Sequence, residues 1–114
     1  MILDMKGLRT WIEIDTGAIK HNYDVFRSLI GKDTKLCGVV KSNAYGHNFM
    51  EYAKHLEAFG AEFLAVDSIT EGLRLRREGI KIPIIILGYT LPERIQEAVS
   101  NNLSMMISTF ESLK

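Results

Sequence analysis

Cysteine is nearly missing from this chain: Cys37 stands alone among 114 residues, so no internal disulfide can form. Inside the apolar run Leu36–Val40 it reads as a small buried hydrophobe. Neither sign of charge dominates. Fourteen Lys and Arg balance fourteen Asp and Glu, which leaves no basic excess to draw nucleic acid or an anionic membrane surface. No apolar run approaches the ~20 residues that span a bilayer. The opening stretch 1–6 is too short and too charged for a secretory leader, so a cytoplasmic protein is expected. No spacing of His, Cys, Asp and Glu suggests a metal site. No Gly-x-Gly-x-x-Gly follows a strand, which argues against dinucleotide binding. Low-complexity segments and linkers are missing too.

What is present is a regular alternation of elements. Trp11-Ile12-Glu13-Ile14-Asp15 alternates apolar and polar residues, as a half-buried strand does. Asp15 or Thr16 can cap a following helix, whose Ile19, Tyr23, Phe26 and Ile30 share a face, and Gly31 suits its stop. Four short apolar runs come next, Leu36–Val40, Phe63–Val66, Ile84–Leu87 and Leu103–Ile107. Being apolar at consecutive positions, they read as parallel strands covered on both faces. Helical stretches separate them, with Phe49, Ala53, Leu56 and Phe59 on the first, Ile69 and Leu73 on the second, and Leu91, Ile95, Ala98 and Val99 on the third. Ser68-x-x-Glu71, Thr90-x-x-Glu93 and Ser108-x-x-Glu111 each fit a capping box, and Pro92 suits a first helical turn. The result is an α/β chain with a parallel sheet and right-handed crossovers. The pattern alone leaves open a doubly wound sheet or part of a barrel.

The chemistry gathers after the first apolar run. Lys41 stands at its carboxyl end, followed by the compact turn Ser42-Asn43-Ala44-Tyr45-Gly46-His47. In a (β/α) barrel, the carboxyl ends of the strands are where chemistry is done. A lysine held partly away from water there is well placed to form a Schiff base, although most strand-end lysines are simply solvated. Other groups have plainer readings. His47 is assigned to capping or packing rather than proton transfer. Glu13 and Asp15 are assigned to an edge strand and a helix cap. Glu71 is explained by its capping box, while Asp67 can approach Lys41 and is left unassigned. Arg74, Arg76 and Arg77 are expected to form a solvated face.

Lys41-Ser42-Asn43-Ala44-Tyr45-Gly46-His47, with Arg9-Thr10-Trp11-Ile12-Glu13-Ile14-Asp15 and His21-Asn22 upstream, closely resembles the N-terminal region of bacterial alanine racemases. Ile85-Ile86-Leu87-Gly88 is similar to that family's third barrel strand. The resemblance covers nearly the whole chain and favours the barrel. It implies an enzyme dependent on pyridoxal 5′-phosphate (PLP) that interconverts L- and D-alanine, the latter for peptidoglycan. Lys41 is then the residue that carries PLP as an internal aldimine and serves as one of two bases. Tyr45 is implied to contact the cofactor phosphate and Leu87 to line the cofactor pocket. The second base is implied to be a tyrosine from the C-terminal domain of a partner subunit in a homodimer, so no tyrosine here takes that role. Asn48 departs from the glycine most common in the family and is expected to cap a helix. A serine racemase, an amino-acid decarboxylase of the same fold or a PLP-homeostasis protein is the alternative. A full barrel needs ~250 residues. Residues 1–114 are therefore expected to be the N-terminal portion of the barrel, about its first half, without the rest of the barrel or the C-terminal β domain. Alone, they are expected to be inactive.

Overall fold

The four apolar runs fold as four short parallel strands, β1 (Cys37–Val39), β2 (Phe63–Val66), β3 (Ile84–Ile86) and β4 (Leu103–Met105). This computed structural model describes residues 6–114; the stretch read as unsuited to a leader falls almost wholly on residues 1–5, outside the described residues. The strands lie in chain order, β1-β2-β3-β4. Gly38, Leu64, Ile84 and Leu103 form one row across the sheet, and Val39, Ala65, Ile85 and Ser104 the next. A doubly wound sheet reverses its strand order at a switch point. An order that runs in one direction is that of a barrel wall.

Helices α2 (Phe49–Phe59) and α3 (Ile69–Arg77) bridge consecutive strands, and the turn Pro92–Arg94 with α4 (Ile95–Ser100) makes the third crossover. They cover one face of the sheet. A Cβ on Gly38 would strike Leu56 of α2, and one on Gly72 of α3 would meet Leu103. Val40, Leu64, Val66, Ile84 and Ile86 are fully buried on that face. Burial of Leu- or Ile-sized side chains stabilises by about 1.5–3 kcal/mol each, and this layer is the core.

The opposite face corrects the expectation of strands covered on both sides. Cys37, Val39 and Ser104 are exposed there, and Phe63 and Ile85 are only half-buried. Cys37 is therefore not a buried hydrophobe, although its partial burial still pushes the thiol pKa up. Apolar residues at consecutive positions report what a finished barrel would bury on its inside. The described residues supply only one wall of it.

Helix α1 (Thr16–Leu29) begins as expected, with Asp15 Oδ1 accepting from the Ala18 N–H at 3.1 Å. Its buried stripe is narrower than its apolar one: Ile19 and Tyr23 are buried, whereas Val25, Phe26 and Leu29 are exposed. Tyr23 packs on Phe59 of α2 with ring centroids 5.8 Å apart. The helix stops through extended backbone at Ile30, not through Gly31. Residues 11–15 form no strand. Ile12 is 76% exposed, and Trp11 Nε1 donates to Glu13 at 2.9 Å. With no ladder partner among the described residues, alternation alone cannot hold a strand.

Of the three capping boxes, one survives in part. Ser68 Oγ accepts from the Glu71 N–H at 3.3 Å. Thr90 caps nothing, because the Pro92–Arg94 turn starts after Leu91, and Thr90 Oγ1 is buried without a partner. The last box is displaced by one residue, to Thr109 and Ser112 at the head of α5 (Phe110–Leu113). Arg76 is likewise not part of a solvated face. Its guanidinium donates to the carbonyls of Ile80, Ile82, Asn101 and Asn102 at 2.8–3.0 Å, and desolvation lowers its pKa. The amino end of the sheet is further fixed by Glu57, which accepts from the Lys81 and Ile82 N–H groups at 2.7 and 3.0 Å. Glu62 accepts there from the Leu36 N–H at 2.8 Å.

Candidate active site

Lys41 sits beyond the carboxyl end of β1, as its position in the sequence requires. Its side chain is 34% exposed, and its Nζ lies 4.0 Å from Asp67 Oδ1. Asp67 itself directly follows β2, so two neighbouring strand ends bring together an amine and a carboxylate. The third strand end contributes Leu87, which is half-buried and whose N–H donates to Val66 O at 2.8 Å. Gly88 comes next. Its N–H donates to Asp67 O at 2.9 Å, and a Cβ there would stand 2.4 Å from that oxygen. Only glycine permits so close an approach between the two loops.

The turn after Lys41 is wound the wrong way for ordinary residues. Lys41–Tyr45 closes like one turn of helix, with the Ala44 N–H donating to Val40 O at 2.9 Å. Yet Ser42, Asn43, Ala44 and Tyr45 have φ of 54°, 57°, 52° and 53°. This is left-handed backbone, which costs an L-residue other than glycine roughly 1–2 kcal/mol. Such strain persists only where surrounding contacts over-determine it, and it concentrates at functional sites.

Three contacts hold the turn. Ala44 is buried. Asn43 Oδ1 accepts from the Phe49 N–H at 2.9 Å, so Asn43 caps α2. Asn48 holds the cap position with φ 70° and makes no side-chain bond, contrary to its expected role. The third contact is Glu71. Its Oε1 accepts from the Ser42 N–H at 3.0 Å and its Oε2 from the Asp67 N–H at 2.7 Å. One carboxylate thus joins the loops after β1 and β2. Sequence reasoning assigned Glu71 wholly to a capping box; the spacing gave no sign that its carboxylate leaves its own helix start for two loops.

Tyr45 projects from the turn, 61% exposed, and its phenol has no hydrogen-bond partner among the described residues. His47 is spent locally: its Nδ1 is 3.0 Å from Ala44 O and its ring meets Tyr52 edge-on. Among the described residues no group of three or more His, Cys, Asp and Glu could hold a metal ion, and no helix is long and apolar enough to cross a membrane. The structure thus gathers Lys41, Asp67, Leu87 and Tyr45 at one end of the sheet and leaves His21 and His55 on helices away from it.

Comparison with known proteins bears on this arrangement. The family described as "Alanine racemase, N-terminal domain" matches residues 14–114. "Alanine racemase 2" of Oceanobacillus iheyensis is 38% identical over 102 residues, which cover 90% of this chain and 26% of that protein. The structure of alanine racemase from Clostridium difficile in complex with cycloserine superposes with a TM-score of 0.89 at 38% identity, over 93% of this chain and 29% of the other. Histidine racemase from Leuconostoc mesenteroides superposes with a TM-score of 0.77 at 31% identity, over 86% of this chain and 26% of the other. The chain spans about a quarter of the length of these relatives.

Proposed function

The chain belongs to the alanine racemase family by its N-terminal domain, and on that premise we propose that it supplies the PLP-holding wall of an amino-acid racemase acting on alanine. The observation that carries the proposal is Lys41. Its amine is reachable at the carboxyl mouth of a barrel wall, beside Asp67 and directly before a strained left-handed turn. The residues present fit the cofactor. Lys41 offers an accessible amine, Tyr45 an unpaired phenol for a phosphate oxygen, and Leu87 an apolar side chain at the neighbouring mouth.

When bound, PLP supplies the electron sink that makes the Cα proton of an amino acid removable. The chain's own part is then to hold and to move a proton. Lys41 Nζ would hold the cofactor, and as the base on one face it would take or return the Cα proton. Asp67 places a carboxylate oxygen 4.0 Å from that amine. Inversion requires a second acid on the other face, contributed by a residue beyond this chain, in a homodimer of the longer enzyme. The setting is the cytoplasm and the product D-alanine for the cell wall.

Trapping tests the reading. The purified chain is incubated with PLP, reduced with borohydride, digested, and the pyridoxyl-bearing peptide mapped by mass. Label on Lys41, lost in Lys41→Ala, is the expected result. Label scattered over surface lysines, or none, overturns it. Because a histidine racemase shares this fold, assays of the longer enzyme on alanine, serine and histidine decide the substrate.

A further inference from the structure

We infer that Glu71 is a positioning residue for Lys41, acting through the backbone rather than by touching substrate or cofactor. The inference rests on the racemase reading above and deepens it. Three facts support it. The two oxygens of this one carboxylate accept from two backbone N–H groups in different loops, Ser42 at 3.0 Å and Asp67 at 2.7 Å. Ser42 is the residue after Lys41 and the first of the four left-handed residues. Asp67 is the residue whose side chain faces the Lys41 amine.

A carboxylate, with two acceptor oxygens and no donor, suits two inward-pointing N–H groups; an amide does not, because its NH₂ would face one of them. The geometry therefore calls for two acceptor oxygens on one side chain at this position. Among the described residues no other side chain joins these two N–H groups. With the clamp in place, the strained turn and the β2 loop keep one relation to each other, and the amine and its counter-ion stay in register. Without it, the left-handed turn has lost its side-chain tie to the β2 loop and is free to relax toward ordinary backbone, carrying Lys41 and Tyr45 with it.

The helix is held separately, since Ser68 Oγ accepts from the Glu71 N–H. This separates positioning from structure. Ser68→Ala removes the cap of α3 and leaves the carboxylate clamp intact. Glu71→Gln keeps the cap and breaks one arm of the clamp. Glu71→Asp keeps the charge but is one methylene too short to span both loops.

The experiment compares the wild-type chain with these three variants. Thermal unfolding, amide hydrogen exchange at Ser42 and Asp67, and PLP–borohydride labelling of Lys41 are measured on each. Loss of one charge-assisted bond is expected to lower Lys41 labelling at limiting PLP by about tenfold in Glu71→Gln and Glu71→Asp. Exchange at Ser42 and Asp67 should quicken in the same two variants without PLP present. Ser68→Ala should label and exchange at these two amides as wild type does, even where it is the less stable protein. Labelling that falls in step with thermal stability across all three variants overturns the inference, as does wild-type labelling in the Glu71 variants. A wild-type chain that takes no label at Lys41 overturns the racemase reading itself, and this inference with it. Should Glu71→Gln fail to fold, Glu71→Asp alone decides.

Discussion

Asn48 shows how one residue can satisfy its place in the sequence and still be strained. It precedes α2, where asparagine is a favoured cap, yet its φ of 70° and ψ of 98° lie outside the small left-handed basin and its side chain caps nothing. Asn43 has taken over that bond. Glycine enters this region freely, at the cost of extra freedom in the unfolded chain. We therefore expect Asn48→Gly to stabilise the protein by about 0.5 kcal/mol, read as a higher urea midpoint at unchanged slope. The same residue marks the limit of what the sequence discloses. Lys41 was legible because a charged residue ending an apolar run has one natural place in a parallel sheet. The left-handed winding of Ser42–Tyr45 was not, since no residue among the four is glycine and propensity argues for ordinary backbone. Glu71 was concealed for a different reason: its partners are 4 and 29 residues away, and only the second distance needs the fold.

At the level of elements, the strands and the helices between them followed from apolar runs bounded by polar residues, because parallel strands and their crossovers leave that signature. The failures lie at element ends. The expected strand at residues 11–15 lacked a partner, Gly31 was not needed as a stop, and two capping boxes gave way to a proline turn and to a neighbour one residue on. Caps are decided by a single bond, so a shift of one residue defeats a spacing rule. The amino end of the sheet carries its own electrostatic fastening. The Leu36 N–H foremost, with Arg27 adding its charge at 3.1 Å, holds the Glu62 carboxyl below its ordinary 4.5 despite an opposing desolvation. A carboxyl whose folded pKa is depressed adds stability above its unfolded value, and that stability is lost as pH falls through the folded one. Glu62→Gln should therefore flatten the acid limb of the stability curve below about pH 4.5, while differing from wild type by a constant amount near neutrality. Equal acid limbs in the two proteins would refute the assignment.

For the whole molecule, the governing fact is a sheet with a finished outside and an open inside. Val39, Phe63, Ile85 and Leu87 remain at least partly accessible on or beside that inner face, and among the described residues β1 and β4 each have a neighbour on one side only. Apolar surface and free strand edges of this kind favour association. The 114-residue chain is expected to bind 1-anilinonaphthalene-8-sulfonate and to self-associate with concentration, and to racemise alanine no faster than free PLP. Monodisperse, dye-silent protein, or robust turnover, would contradict this.

Strand order carries one more consequence. Among the described residues, β2, β3 and β4 each pair with the strand made just before, so each of these three ladders closes over a single crossover. Contacts of such short range form early and quickly, and a growing chain can add them in the order of synthesis. The Lys41 strand leaves the ribosome first. The helix that bears Glu71 follows only after α2 and β2, about thirty residues later. The turn beside the reactive amine thus acquires its full tension only after translation has carried the chain past the second strand, which gives the site a birth order as well as a place.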